Sequence, residues 1–241
     1  MNPAVASISA FFPCYNDEAT IASMVNLALV TIDKVGAEGE VIVIDDGSSD
    51  GSPQVLQELQ AEQPRLRVIT HEQNRGYGGA LLSGFAAAGF EWVFYTDGDA
   101  QFDPAELEQL VERAGPDVDV VQGWKIRRAD HLVRRVIGRV YHRSVSLMFG
   151  LRIRDTDCDF RLIRREILDR ISLEHTSGVI CVELVRKLQD AGARFVEVPV
   201  HHYPRLHGQS QFFRVPAVAS TAKDLLSLWF SLVVLKGRRK G

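Results

Sequence analysis

Short apolar runs alternate with longer amphipathic stretches through the first half of the chain. Ser7–Phe12, Glu40–Ile44, Arg67–Thr70 and Trp92–Thr96 read as strands, and the VIVI of the second is β-branched throughout. Helical patterns fill the gaps, at about 18–36, 52–63, 77–89 and 104–114. Asp103-Pro104 ahead of a Glu-rich run is a helix start, a cap followed by proline at the first position. Strands alternating with helices predict an α/β fold, a mostly parallel sheet flanked by helices. In such sheets ligands collect at the carboxyl ends of the strands.

Composition narrows the classes. With 46% apolar residues and a net charge of −3, the chain can build a core, and disorder is excluded as its dominant state. Three cysteines, Cys14, Cys158 and Cys181, are too few and too far apart for a disulfide scaffold. They suit a reducing compartment. Met1–Ser9 carries no secretory signal pattern, and no stretch reaches the roughly 18–20 apolar residues of a membrane span. The expectation is a cytoplasmic protein.

The charge is split. Residues 1–124 hold 5 Lys+Arg against 20 Asp+Glu, a balance of −15, and residues 125–241 balance at +12. An acidic half can hold a metal. A basic half can hold phosphates or face an anionic membrane, and a solvated surface is the plainer alternative.

Four motifs follow the predicted strands. In FFPCYNDEATI (Phe11–Ile21), Tyr15 can stack on a base and Asp17 can accept from a base or ribose. An incidental strand–turn–helix reads equally well. In VIVIDDGSSDGS (Val41–Ser52), Asp45 and Asp46 lie at the sheet edge, where they bind ribose hydroxyls or a base N–H, or merely shape a turn and cap. In EWVFYTDGDAQFDP (Glu91–Pro104), Asp97 and Asp99 are spaced i, i+2. In extended geometry both point the same way, which suits a hard divalent cation completed by phosphates. Gln101 continues that face, and a simple DG turn is the alternative. HEQNRGYGGALLSG (His71–Gly84) lacks the third glycine of a dinucleotide loop and follows the third strand, not the first. Its small residues read as close helix–sheet packing.

In this order and spacing the four motifs resemble glycosyltransferase family two and its GT-A fold, over residues 7–124. Residues 155–166 (DTDCDFRLIRRE), 205–210 (RLHGQS) and Val182–Val200 resemble the polyprenyl-phosphate glycosyltransferases, the dolichyl-phosphate mannose synthase group. The resemblance implies a GT-A domain over 1–214. Its nucleotide and metal half is 1–124 and its acceptor half 125–214, with a C-terminal interfacial helix and basic tail at 215–241. It implies nucleoside contacts from Pro13, Tyr15, Asp17, Asp45, Asp46 and Asp97. It implies Mg²⁺ or Mn²⁺ on Asp97, Asp99 and Gln101, and phosphate contacts from Arg205 and Ser210. Lys125 stands where that group often has arginine. Asp99, Arg205, Lys125 and Asp157 are then the candidate catalytic residues.

The stretch Lys125–Arg143 carries 7 Lys+Arg and one acid, Asp130. Helical spacing puts Arg135, Arg139 and Arg143 on one face, for an acceptor phosphate, an anionic lipid surface or solvent. Leu225–Leu235, with Trp229 and a basic tail, fits an interfacial helix on a cytoplasmic membrane face, or a helix packed on the domain or a second subunit.

The expected activity is inverting, metal-dependent transfer of a sugar from a GDP- or UDP-linked donor to a polyprenyl phosphate. The alternatives are a sugar-hydroxyl acceptor, with Asp155, Asp157 or Asp159 as base, and a binding module without turnover. A homo-oligomer or a small membrane protein is a further candidate partner. Nucleic acid is excluded as a partner, since the chain is acidic overall and carries no nucleic-acid motif.

Overall fold

The computed structural model describes residues 4–126, 142–205 and 223–235. Its frame is one seven-stranded sheet with the order β3-β2-β1-β4-β6-β5-β7. Strands β1 (Ser7–Cys14), β2 (Glu38–Asp45), β3 (Leu66–Thr70) and β4 (Trp92–Thr96) are the four predicted ones. They pair in parallel. Strand β6 (Phe160–Arg164) lies antiparallel between β4 and β5 (Val120–Lys125), and β7 (Phe195–Val200) runs parallel to β5 at the edge.

Helices α1 (Ile21–Val35), α2 (Ser52–Glu62), α3 (Gly76–Ala87) and α4 (Leu107–Arg113) connect the first five strands. The turn before α4 starts as the sequence predicts, with the Asp103 side chain accepting from Ala105 N at 2.9 Å. The parallel strands are buried on both faces, so they read as continuous apolar runs. One face holds Phe12, Val43, Trp92 and Phe94; the other holds Phe11, Ile44, Val93 and Tyr95. Pro13 is tolerated in central β1 because pairing with β4 has already ended at Phe11–Tyr95.

Helix α3 approaches the sheet closely. A Cβ on Gly84 would lie 2.3 Å from the Phe11 ring, so only glycine fits. The expected close packing of the GYGGA segment is observed.

The second half adds α5 (142–149), α6 (Arg165–Leu168), α7 (Ile180–Asp190) and α8 (223–235). Helix α8 does not stand apart as an appendage. Its Leu225, Leu228 and Leu232 join Val145 and Phe149 of α5 and Val182 and Val185 of α7 in one apolar cluster. Trp229 Nε1 donates to Met148 O at 2.9 Å. The outward residues Leu147, Leu226 and Phe230 stay exposed, at 84%, 60% and 50%. The reason is compositional: α8 is apolar on both faces, so one can pack on the domain while the other stays outward. No helix among the described residues is long and apolar enough to cross a membrane. The expected 214/215 boundary, Ser210, Arg135 and Arg139 fall outside the described residues.

Candidate active site

The carboxyl ends of β1, β2 and β4 converge, as expected of a parallel sheet. The loop after β1 is laced to the loop after β2. Asn16 N donates to Ser48 Oγ at 3.0 Å, Asp17 N to Ser52 Oγ at 3.1 Å and Glu18 N to Asp50 Oδ2 at 3.2 Å. In return, Asn16 Oδ1 accepts from Ser49 N, and Glu18 Oε2 from Gly51 N. A Cβ on Gly51 would strike the Glu18 carboxylate at 2.5 Å.

This lacing walls a cavity of about 410 Å³, lined by Asn16, Asp17, Glu18, Ala19, Thr20, Asp50, Val55 and Asp99. The Asp17 carboxylate accepts from Tyr15 N at 3.2 Å. Its burial pushes the carboxyl up to about 6, and the charges of Asp99 and Asp50 add to that rise. Tyr15 is 40% exposed, so its ring is open to stacking.

Asp45 and Asp46 do not line this cavity. Asp45 Oδ1 accepts from Ser48 N at 3.0 Å. Asp46 Oδ1 accepts from Arg75 N at 2.8 Å and meets His71 Nδ1 at 2.6 Å, while His71 Nε2 reaches Ser83 Oγ at 2.9 Å. Both acids are almost fully buried, at 1% and 3%. They brace the loops around the cavity.

The expected extended geometry of Asp97 and Asp99 is not what the chain adopts. Strand β4 ends at Thr96, and the two acids sit in a turn with Ala100 at φ 58°. Gly98 N donates to Pro13 O at 3.3 Å, tying the turn to β1. That is the structural contribution of Pro13. The carboxylates therefore take different partners. Asp97 Oδ1 accepts from Tyr77 OH at 2.8 Å. Asp99 accepts from Gln101 N at 3.0 Å and pairs with the Arg205 guanidinium. Burial, with the charges of Asp159 and Asp99, pushes Asp97 well above the usual carboxylate range, and Lys125 opposes that rise.

Among the described residues no group of three His, Cys, Asp or Glu side chains is arranged to hold a metal. The donor set still fits a hard divalent cation. The Asp97 and Asp99 carboxylates offer oxygen ligands, and such cations take the rest from phosphates and water. Gln101 is anchored to the segment after β7. Its side-chain Nε2 donates to Tyr203 O at 3.1 Å, and its backbone carbonyl accepts from Tyr203 N at 2.8 Å. This pairing brings the segment after β7 across the turn and delivers Arg205 to Asp99.

On the β5–β6 side, Lys125 Nζ donates to Asp157 O at 2.6 Å and lies 5.8 Å from the Phe102 ring centre. Burial raises the Asp157 carboxyl, and Lys125 pulls it back down. Asp159 is committed elsewhere. It pairs with Arg161 at 2.8 Å, and that arginine, wholly buried, also reaches the Tyr95 hydroxyl, Gln122 and Thr156 O. Asp155 Oδ1 accepts from Asp157 N at 3.2 Å. Of the three candidate bases, Asp157 has the environment of a proton acceptor.

Sequence reasoning missed His71, Tyr77, Asp50 and Arg161. The signals for His71 and Tyr77 were their places beside a strand end and in a glycine run. Their partners come from distant loops, so spacing alone does not reveal them.

The family model for glycosyl transferase family 2 matches residues 9–172, a span that holds Asp17, Asp97, Asp99, Lys125 and Asp157, with Arg205 beyond it. The chain belongs to glycosyl transferase family 2. As a member, it is a glycosyltransferase that uses a nucleotide-sugar donor, built on the GT-A-like sheet described above.

The fold is also that of glucosyl-3-phosphoglycerate synthase from Mycobacterium tuberculosis. The structure in complex with UDP aligns with a TM-score of 0.67 at 20% identity, covering 94% of this chain and 79% of that one. The same enzyme with Mg²⁺ and UDP gives 0.68 at 20% identity, with the same coverage. Its complex with Mn²⁺, UDP-glucose and phosphoglyceric acid gives 0.66 at 19%, again over 94% and 79%.

Proposed function

We propose that this family 2 glycosyltransferase moves a sugar from a nucleotide-sugar to a polyprenyl phosphate at the cytoplasmic face of a membrane. The carrying observation is the Arg205–Asp99 pair. It sets a permanent cation, from the start of the RLHGQS segment, beside Asp99, which supports a phosphate acceptor if Asp99 holds the metal. The apolar residues Leu147, Leu226 and Phe230 of α5 and α8, exposed among the described residues, support a lipid-borne acceptor.

Asp97 and Asp99 would hold Mg²⁺ or Mn²⁺, as the solved relatives hold those ions together with UDP. When bound, the cation would neutralise charge on the leaving diphosphate. The residues of the chain do the remaining work. Tyr15 and Asp17 bind the base, Asp17 by accepting a base N–H. Lys125 and Arg205 stabilise negative charge as the donor bond breaks. A phosphate acceptor is already anionic at neutral pH, so no side chain needs to remove a proton.

A second reading is favoured by Asp157. A carboxyl raised by burial beside the site would serve as base for a hydroxyl acceptor. The solved relatives are complexed with phosphoglyceric acid, a small acceptor of that kind.

Two substitutions separate the readings. With a phosphate acceptor, Arg205→Ala should lower kcat/KM more than Asp157→Asn. With a hydroxyl acceptor, Asp157→Asn should lose about 10²–10⁴-fold and exceed the arginine change. That reversed order would overturn the lipid-phosphate proposal.

A further inference from the structure

The glycines of Asn74–Ala80 explain how α3 packs, but not why Tyr77 stands among them. Asp97 lies beyond the end of β4, so no strand pleat orients its side chain. The Tyr77 hydroxyl is the group that meets it, at 2.8 Å. The backbone carrying that tyrosine is held from three sides. Asn74 Nδ2 donates to Asp46 O at 3.1 Å, and Arg75 N to Asp46 Oδ1 at 2.8 Å. Gly76, at φ 79°, donates its N–H to Asn74 Oδ1 at 3.0 Å. Gly78 N donates to Thr176 O at 2.8 Å.

The third hold tolerates no side chain. A Cβ on Gly78 would lie 2.5 Å from His175 O and from Thr176 C. The 174–176 loop is itself fastened by Glu183, which is wholly buried on α7. That carboxylate accepts from Glu174 N at 3.1 Å and His175 N at 3.0 Å, and pairs with Lys187 at 2.6 Å. A continuous set of contacts therefore runs from α7 through the loop and the first turn of α3 to the Asp97 carboxylate.

We propose that Tyr77 is a positioning residue for the cation site: its hydroxyl fixes the Asp97 carboxylate so that the other oxygen is the one offered to a divalent cation. The inference rests on the metal-dependent reading given above. Partners that orient a ligating side chain typically govern metal affinity by 10–100-fold when removed. Phenylalanine would fill the same volume, so only the hydrogen bond distinguishes tyrosine here. The competing explanation is a tyrosine that merely satisfies its own hydroxyl.

The experiment is a double-mutant cycle read by Mn²⁺ binding, using the free-Mn²⁺ electron paramagnetic resonance signal with UDP or GDP present. Tyr77→Phe should weaken Mn²⁺ binding about 10–100-fold. Nucleotide affinity without metal should be unchanged, and kcat should recover at saturating Mn²⁺. In an Asp97→Asn background the same change should cost nothing more. Tyr77→Leu, which also lacks the hydroxyl, supplies the comparison if Tyr77→Phe accumulates poorly. Unchanged Mn²⁺ affinity in Tyr77→Phe, or an equal loss in the Asp97→Asn background, would overturn the positioning role alone. If the wild-type protein retains no Mn²⁺ with either nucleotide, the metal-dependent reading falls and this role with it.

Discussion

Asp17 is a carboxylate whose protein environment favours its proton. In the fold its pKa is raised from 3.8 to about 6. Between these values the folded protein holds a proton that the unfolded chain has released. Asp17 therefore costs stability above about pH 6, and the cost disappears as pH falls towards 4. Asp17→Asn keeps an acceptor for Tyr15 N and removes the charge. It should stabilise the protein at pH 7.5 by about 1–2 kcal/mol, a few degrees in Tm, with no gain at pH 4. Thermal melts at both pH values check this, and an equal gain at both would contradict it. Arg161 makes the opposite case. Arg161→Met strands Asp159 without its partner, at a cost of about 3–5 kcal/mol in urea denaturation. Adding Asp159→Asn should recover part of the loss, and a single-mutant cost under about 1 kcal/mol would show that the pair is replaceable. This arginine also marks where sequence reading stops. A charged residue inside FRLIR would be expected to face solvent, yet Arg161 is buried, because Asp159, Tyr95 and Gln122 together offer it acceptors. Such partners come from two other strands and the loop before β6, and no local pattern encodes them.

At the scale of elements, the local signals carry far. The four apolar runs became β1–β4 and the four helical patterns became α1–α4, because parallel strands covered on both faces must be apolar throughout. At the DGD segment the sequence left an extended pair and a DG turn open, and the chain takes the turn for a physical reason. A glycine between two acids, followed by a residue at φ 58°, ends the strand and sends the carboxylates to different partners. Helix α8 was legible as apolar, with an interfacial and a packed reading both open, since the surfaces that receive it lie on α5 and α7. Its two faces predict two separable effects. Leu228→Ala should destabilise by about 2–4 kcal/mol, as expected for a buried leucine. Leu226→Asp with Phe230→Asp should leave Tm nearly unchanged and abolish flotation with anionic liposomes at low salt. Flotation that survives the aspartates would remove the outward face of α8 from the membrane proposal.

Across the whole molecule, the acidic first half and the basic second half meet at the site. The first half supplies Asp17, Asp97 and Asp99, and the second supplies Lys125 and Arg205. Such a division suits a donor half that recruits a cation and an acceptor half that recruits an anion. Asp99→Ala removes the carboxylate that Arg205 meets and a proposed cation ligand. A loss of roughly 10²-fold or more in rate is expected, comparable to deleting an electrostatic donor in an active site. Activity that persists in both Asp99→Ala and chelator would sink the metal proposal. The central claim concerns where the sugar goes, and product partition tests it most directly. Purified protein is incubated with radiolabelled UDP- or GDP-sugar, Mn²⁺ and a choice of polyprenyl phosphate or phosphoglycerate, and label is counted in the organic and aqueous phases. The account predicts metal-dependent label in the organic phase, in an acid-labile lipid-linked sugar phosphate, only when polyprenyl phosphate is present. Label that appears instead in a water-soluble glycosylated acceptor, with none in the lipid phase for either donor, would contradict it.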